Sequence, residues 1–154
     1  MTPTRARSLL TLALLAAVGG WALTRLVDAY AGRSLPVPWS APAVMVLLAL
    51  ALAIWARGTR ARLERRPGTK PLEPLVAART AALAMAGSRT GALVAGFYAG
   101  VALALTPSWS VAYTRELILA AVLTVLAAGL VVAASLWLER ICRLPPESAG
   151  GDTP

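Results

Sequence analysis

Residues 74–105 read PLVAARTAALAMAGSRTGALVAGFYAGVALAL, and the rest of the chain is organised around them. Nearly every side chain in the run is apolar or small. Arg79 and Arg89 interrupt it, and Gly87, Gly91, Gly96 and Gly100 stud it. As one upright helix it would run about 48 Å. A bilayer's hydrocarbon core is about 30 Å thick. The stretch therefore divides: residues 75–86 belong at or below the cytoplasmic interface, and residues 86–105 cross. Arg89 then sits one turn inside the boundary, where its long stem lets the guanidinium reach the phosphates. The alternative places Arg89 in a polar cavity as a substrate or ion contact.

The small residues of the run fall into stripes. Ala92, Gly96, Gly100 and Ala104 recur at four-residue spacing and share a helix face. Gly87, Gly91, Ala95 and Ala99 make a second stripe beside it. A face with almost no side chain lets another helix come in closely, which is how helices associate in lipid. The neighbour is either another helix of a four-helix bundle in the same chain, or a second copy or partner protein. Phe97 and Tyr98, set between the glycines, are expected to point away toward lipid or a loop. Leucine at position 96 should push the neighbour off, whereas alanine there should be mild.

Composition agrees with a membrane class. The chain is 58% hydrophobic and only 14% charged, and its mean hydropathy is +0.68. A soluble domain of this size needs about a quarter of its residues charged. The net charge of +8 does not point to nucleic acid, because the cations are interleaved with long apolar runs and lack an aromatic stacking pattern. The lone Cys142 cannot form an intrachain disulfide, and the absence of histidine excludes His metal ligands and His bases. No cofactor signature is present. Gly68-Thr69-Lys70 lacks the upstream glycine and the strand of a phosphate loop.

Taken in order, a first span covers about 8–30. Its basic start and the small residues Ala17-Val18-Gly19 would also suit a cleaved signal peptide. The apolar run continues through Trp21, Leu23, Leu26 and Val27 and supplies the roughly 20 residues that a crossing needs, which favours an uncleaved helix. Gly32 can stop it, and Pro36 and Pro38 hold an extended external loop. A second span covers about 41–56, with Trp39 and Trp55 as interfacial rings. Residues 57–74 form a basic cytoplasmic loop carrying Arg57, Arg60, Arg62, Arg65, Arg66 and Lys70. With Arg79 and Arg89, these are the candidates for contact with anionic lipid headgroups. A second external loop surrounds Pro107 and Trp109, and the last span covers about 114–138. The transmembrane domain closes near residue 143, and residues 144–154 have the composition of a disordered tail. The fold class is an all-α membrane protein: four transmembrane helices, the third lengthened by an interfacial or cytoplasmic segment.

Charge fixes the orientation. If the termini and the basic loop lie inside, all of the 15 lysines and arginines but Arg25, Arg33 and Arg115 are inside with them. That bias follows the positive-inside rule, and four spans return both termini to one side. At the outer end, Arg25 and Asp28 share a face of the first helix, and a pairing of Asp28 with Arg115 would tie the first helix to the last.

The element order resembles a known family. So do three local runs: Ala78-Arg79-Thr80-Ala81-Ala82-Leu83, Gly87-Ser88-Arg89-Thr90-Gly91-Ala92-Leu93 and Gly96-Phe97-Tyr98-Ala99-Gly100. They are similar to the actinobacterial membrane proteins of the domain-of-unknown-function family 3180. The resemblance implies a small multi-span plasma-membrane protein, often encoded near folate-pathway genes, with no assigned catalytic residues. Three function classes follow. An accessory or structural protein would bind a membrane-protein partner or itself as a homo-oligomer, and would contact membrane lipids. A transporter or channel subunit, linked to folate-pathway metabolites, would need intramembrane ionisable groups, and Arg89 is the one candidate. An enzyme would need a base, a carboxylate pair or a metal cluster that the sequence does not offer, so no catalytic residue is assigned.

A reporter active only outside the cytoplasm should be silent when fused after Pro154 and active when inserted at Pro36. The reverse pair of results would invert the topology.

Overall fold

The structure, a computed structural model, describes residues 6–32, 38–63 and 74–142. Four helices carry the chain: α1 (Ala6–Ala31), α2 (Ser40–Leu63), α3 (Pro74–Leu105) and α4 (Ala112–Cys142). A single 3₁₀ turn, Thr106–Ser108, follows α3. All four helices are long and apolar enough to cross a membrane, over Arg7–Tyr30, Ser40–Gly58, Ala82–Ser108 and Ala112–Arg140. Among the described residues there is no strand.

The helix ends follow from local chemistry. Gly32 stands at φ +59°, and its N–H donates to the Asp28 carbonyl at 3.1 Å. That is the left-handed stop at the end of α1 for which glycine is suited. At the end of α3, the Thr106 hydroxyl donates to the Leu103 carbonyl at 2.7 Å, and Pro107 sits in the turn where it needs no N–H donor. The α2 helix does not stop at residue 56. It continues to Leu63, so Arg57, Arg60 and Arg62 ride on helix and the segment 57–74 is not loop from its start. Alanine, arginine and leucine are good helix formers, and Gly58 alone does not break them. Arg65, Arg66 and Lys70 lie outside the described residues, as does the tail at 144–154. Pro74 opens α3, a position where its missing N–H costs nothing.

The helices line up as a row in the order α1, α3, α4, α2, and α1 and α2 share no packed seam. The register shows their directions. Ala13 opposes Gly96 and Ala17 opposes Gly100, so α1 and α3 run parallel. Gly87 faces Ser135 and Gly91 faces Ala128 and Val132, so α3 and α4 run antiparallel. Leu52 meets Val131 and Ala56 meets Leu138, so α2 runs parallel to α4. The two central helices bury 39% and 44% of their spans, against 11% for α1 and 17% for α2 at the edges.

The core is built of small side chains, with the large ones outside. Ala56, Ala84, Ala120, Ala121 and Ala128 are wholly buried, while Leu14, Leu15, Leu47, Ile54, Leu126 and Leu130 are exposed. In water this would be inverted. In lipid a leucine gains nothing by leaving the acyl chains, so the helices gain by close contact of backbones.

Both small-residue stripes are used inside the chain. Gly96 and Gly100 meet α1 at backbone distance. A Cβ at Gly96 would overlap the Ala13 carbonyl oxygen and lie 2.8 Å from Ala13 Cα; one at Gly100 would overlap the Ala17 carbonyl oxygen and lie 2.8 Å from the Trp21 nitrogen. Gly20 of α1 answers from the other side, its missing Cβ replaced by the Phe97 backbone. Gly87 and Gly91 meet α4, where a Cβ would lie 2.6 Å from Ser135 Oγ and 2.8 Å from Val132 Cγ2. Ala92 and Ala104 are buried on the same helix. This geometry corrects two expectations. Alanine at 96 is not mild, because its methyl would strike backbone, which cannot swing aside. Nor do Phe97 and Tyr98 point away: both pack against Val101, Leu105, Leu117, Ile118 and Ala120, their rings edge-on with centroids 5.6 Å apart. With α1 and α4 on two sides of α3, the outward side of that helix carries Leu83, Leu93 and Leu103 and neither glycine stripe.

Gly100→Ala and Gly96→Ala should each lower stability in detergent by about 1–3 kcal/mol, the range for overpacking. Gly19→Ala, where the new methyl meets nothing within 4 Å, should be neutral or slightly stabilising. Equal thermal stability of all three variants would sink the backbone-contact account of the α1–α3 seam.

Candidate functional site

Polar groups concentrate at the two ends of the helix row. The basic end is where α2 leaves its apolar span, α3 has yet to enter one, and α4 finishes. Arg57, Arg79 and Arg89 are exposed there. Arg60 and Arg62 lie on the last turns of α2. Because α3 is helical from Pro74 while its apolar span begins at Ala82, Arg79 stands on a helical extension beyond the span. Arg89 is inside the span by about two turns. Its neighbour Ser88 is fully buried and donates to the Met85 carbonyl at 3.0 Å. Arg89 itself is exposed on the row's surface, not enclosed in a polar cavity.

Behind these cations lies a buried polar column that the hydropathy of the sequence hides. Thr80 and Glu139 are buried, and each is engaged with a neighbour. Ser135 is wholly buried, and its Oγ has no hydrogen-bond partner. Thr124 is also wholly buried and donates to the Ala120 carbonyl at 2.7 Å. Thr124 and Ser135 stand about three helical turns apart and so share a face. Small hydroxyl residues among leucines were the available signal. Glu139 was missed because the sequence places it at the very end of an apolar run.

The other end carries the turn between α3 and α4. A recess of about 50 Å³ is lined there by Thr24, Arg25 and Asp28 of α1, Ala104 and Leu105 of α3, Ser108 of the turn and Thr114 of α4. It brings the outer turns of α1 against the α3–α4 turn, two stretches about 80 residues apart in sequence. Thr24 is buried and donates to the Gly20 carbonyl at 2.8 Å. The expected tie between Asp28 and Arg115 does not form. Arg115 Nε donates to the Trp109 carbonyl at 3.1 Å, and its guanidinium lies over the Trp109 ring at 6.0 Å. That local turn captures the cation before it can reach α1. Arg25 lies over Trp21 in the same way, at 5.8 Å. Each guanidinium is thus parked on an aromatic face, a contact worth roughly 0.5–1 kcal/mol at an exposed site.

Chemically, these arrangements suit headgroup contact and helix packing. Among the described residues, no group of three or more His, Cys, Asp or Glu could hold a metal ion. A family model described as "Protein of unknown function (DUF3180)" matches residues 9–146. No curated protein and no solved structure matches the chain.

Arg89→Lys should keep normal membrane level and phenotype, because lysine also reaches the interface. Arg89→Leu should lower the level by removing that anchor. Loss of phenotype in Arg89→Lys at normal level would make Arg89 a binding residue.

Proposed function

We propose that this chain, which belongs to the DUF3180 family of proteins of unknown function, is a non-enzymatic accessory protein of the plasma membrane. Both termini are cytoplasmic, the basic end rests on anionic headgroups, and the protein acts by holding a membrane-protein partner or a second copy. The observation that carries this reading is the helical extension of α2 and α3 past their apolar spans, from Gly58 to Leu63 and from Pro74 to Ala82. Arg57 and Arg79 are thereby exposed on helix at or just past the ends of the apolar spans, and Arg60 and Arg62 lie on the same last turns of α2. Each such cation contributes about 1 kcal/mol near an anionic surface.

The sealed interior supports an accessory role over a conduit. A transporter subunit handling folate-pathway metabolites would need a polar path between helices. The α1–α3 seam is closed by backbone-to-backbone contact at Gly20, Gly96 and Gly100. The α3–α4 seam is closed by Gly87, Gly91 and buried alanines, with Ser88 and Thr124 bonded within their own helices and Thr80 and Glu139 engaged with neighbours. With the glycine faces used internally, a partner meets the outward leucine-rich faces of α1 and α2 at the ends of the row.

Extraction of native membranes in gentle detergent should recover the chain with a membrane protein in fixed ratio, and with anionic lipid enriched over the bulk membrane. Changing Arg57, Arg60 and Arg62 together to glutamine should lower that enrichment without lowering the protein level. Recovery of the chain alone in every detergent, together with altered accumulation of a folate precursor in a deletion strain, would overturn the accessory reading in favour of transport.

A further inference from the structure

The recess at the turn end is built for a ligand that carries both signs of charge. Arg25 and Asp28 are on one face of α1, both are exposed, and both line the same recess. Among the described residues, no ion pair joins Asp28 to Arg25 or to Arg115. Arg25 is held away over the Trp21 ring, 5.8 Å from its centroid. The carboxylate and the guanidinium therefore stand one turn apart with their charges unspent on each other. Three hydroxyl residues, Thr24, Ser108 and Thr114, line the recess with them. Thr24 spends its proton on the Gly20 carbonyl at 2.8 Å, so toward the recess its oxygen can only accept.

Depth and size narrow the class. The recess sits where the apolar span of α1 ends, at Tyr30. Trp21, Tyr30, Trp109 and Tyr113 are exposed at the same end, as aromatic residues are at a headgroup boundary. A volume of about 50 Å³ is far below the roughly 300–1,000 Å³ of a metabolite pocket. It admits one small polar group whose remainder stays outside.

We propose that this recess binds a primary-ammonium zwitterion, the phosphoethanolamine headgroup of a membrane lipid. The phosphate meets Arg25, and the ammonium meets Asp28 and donates to the hydroxyl oxygens of the recess. A phosphoglycerol headgroup offers no cation to Asp28. A choline headgroup has no N–H to give to Thr24, Ser108 or Thr114. The proposal rests on the helices crossing a membrane, and not on the accessory role or on which end faces the cytoplasm.

The full chain, stripped of lipid in detergent, is titrated with phosphatidylethanolamine, phosphatidylglycerol and phosphatidylcholine of identical acyl chains, and bound lipid is read by native mass spectrometry. Phosphatidylethanolamine should bind roughly tenfold better than either other lipid, the effect of one well-made polar contact. Arg25→Gln and Asp28→Asn should each abolish the preference, Asp28→Glu should keep it, and Arg7→Gln at the opposite end should not affect it. Both recess side chains are exposed, so the variants should keep their thermal stability. Free phosphoethanolamine, titrated as a competitor, separates the sources: a free headgroup that binds far more weakly than the lipid assigns the site to the lipid, and one that binds as tightly or more tightly assigns it to a soluble zwitterion. Equal binding of the three lipids, or a preference unchanged in both Arg25→Gln and Asp28→Asn, overturns the proposal.

Discussion

Everything in this fold depends on how closely two backbones can approach where α1 meets α3. In water, a helix pair can rely on burying leucine. In lipid that gain vanishes, because the acyl chains are as apolar as the partner helix. What remains is dispersion between well-fitted surfaces, tiny per atom pair and large only in sum. Ala13 and Ala17 against Gly96 and Gly100, with Gly20 against Phe97, remove every side chain that would hold the axes apart. The parallel direction of the two helices keeps the fit in step along both, since each advance of one turn on α1 meets the next glycine on α3. The same three glycines leave α3 with a second free side, and α4 takes it.

The second seam is made differently. Between α3 and α4 the spacing is set by Gly87 and Gly91 on one helix and by Ala120, Ala121, Ala127 and Ala128 on the other. Its ends are filled by larger groups: Phe97, Tyr98, Val101 and Leu117 at the turn end, and Trp137 and Leu138 at the basic end. Buried hydroxyls punctuate it. Thr124 settles its proton on the Ala120 carbonyl within its own helix, which satisfies the group without requiring a partner across the seam. Ser88 does the same with Met85. Such local bonds let a polar residue be small and still be tolerated inside the membrane.

Much of this was legible in the sequence. Length and hydropathy were enough for four spans, because a crossing helix must be apolar over about 20 residues. The glycine spacing was enough for two stripes on α3, and Gly32 for the stop of α1. Which helices would lie against the stripes was not legible. Soluble helices reveal their inner face by a change from polar to apolar, and these helices are apolar all round. The usable contrast is small against large: Ala13, Ala17, Gly20 and Thr24 face inward on α1, while Leu10, Leu14, Val18 and Leu26 face out. Read for size, α1 carries its own stripe, and the pairing with α3 becomes visible. Phe97 and Tyr98 were misplaced because glycine neighbours suggested one packed side, whereas α3 has two. The Asp28–Arg115 tie failed for a local reason: a carbonyl and an indole of Arg115's own turn lie closer than α1 does. The recess escaped notice because its lining comes from two distant segments, residues 24–28 and 104–114, neither of which is unusual alone.

The row order also constrains how the chain must assemble. The helices α1 and α2 are adjacent in sequence yet share no seam; each rests on a different member of the α3–α4 hairpin. When the first two helices have entered the membrane, neither has met its contact surface. The bare faces of Ala13, Ala17 and Gly20 on α1, and of Ala49, Leu52 and Ala56 on α2, wait for helices not yet inserted. This is consistent with their composition. A waiting helix must be stable alone in lipid, and α1 and α2 carry apolar spans of 24 and 19 residues. The Arg89 position that makes α3 a poorer isolated span is tolerable because α3 enters with α1 already beside it. The central helix can thus be the most glycine-rich of the four, since α1 is in place when it enters and α4 follows directly after it.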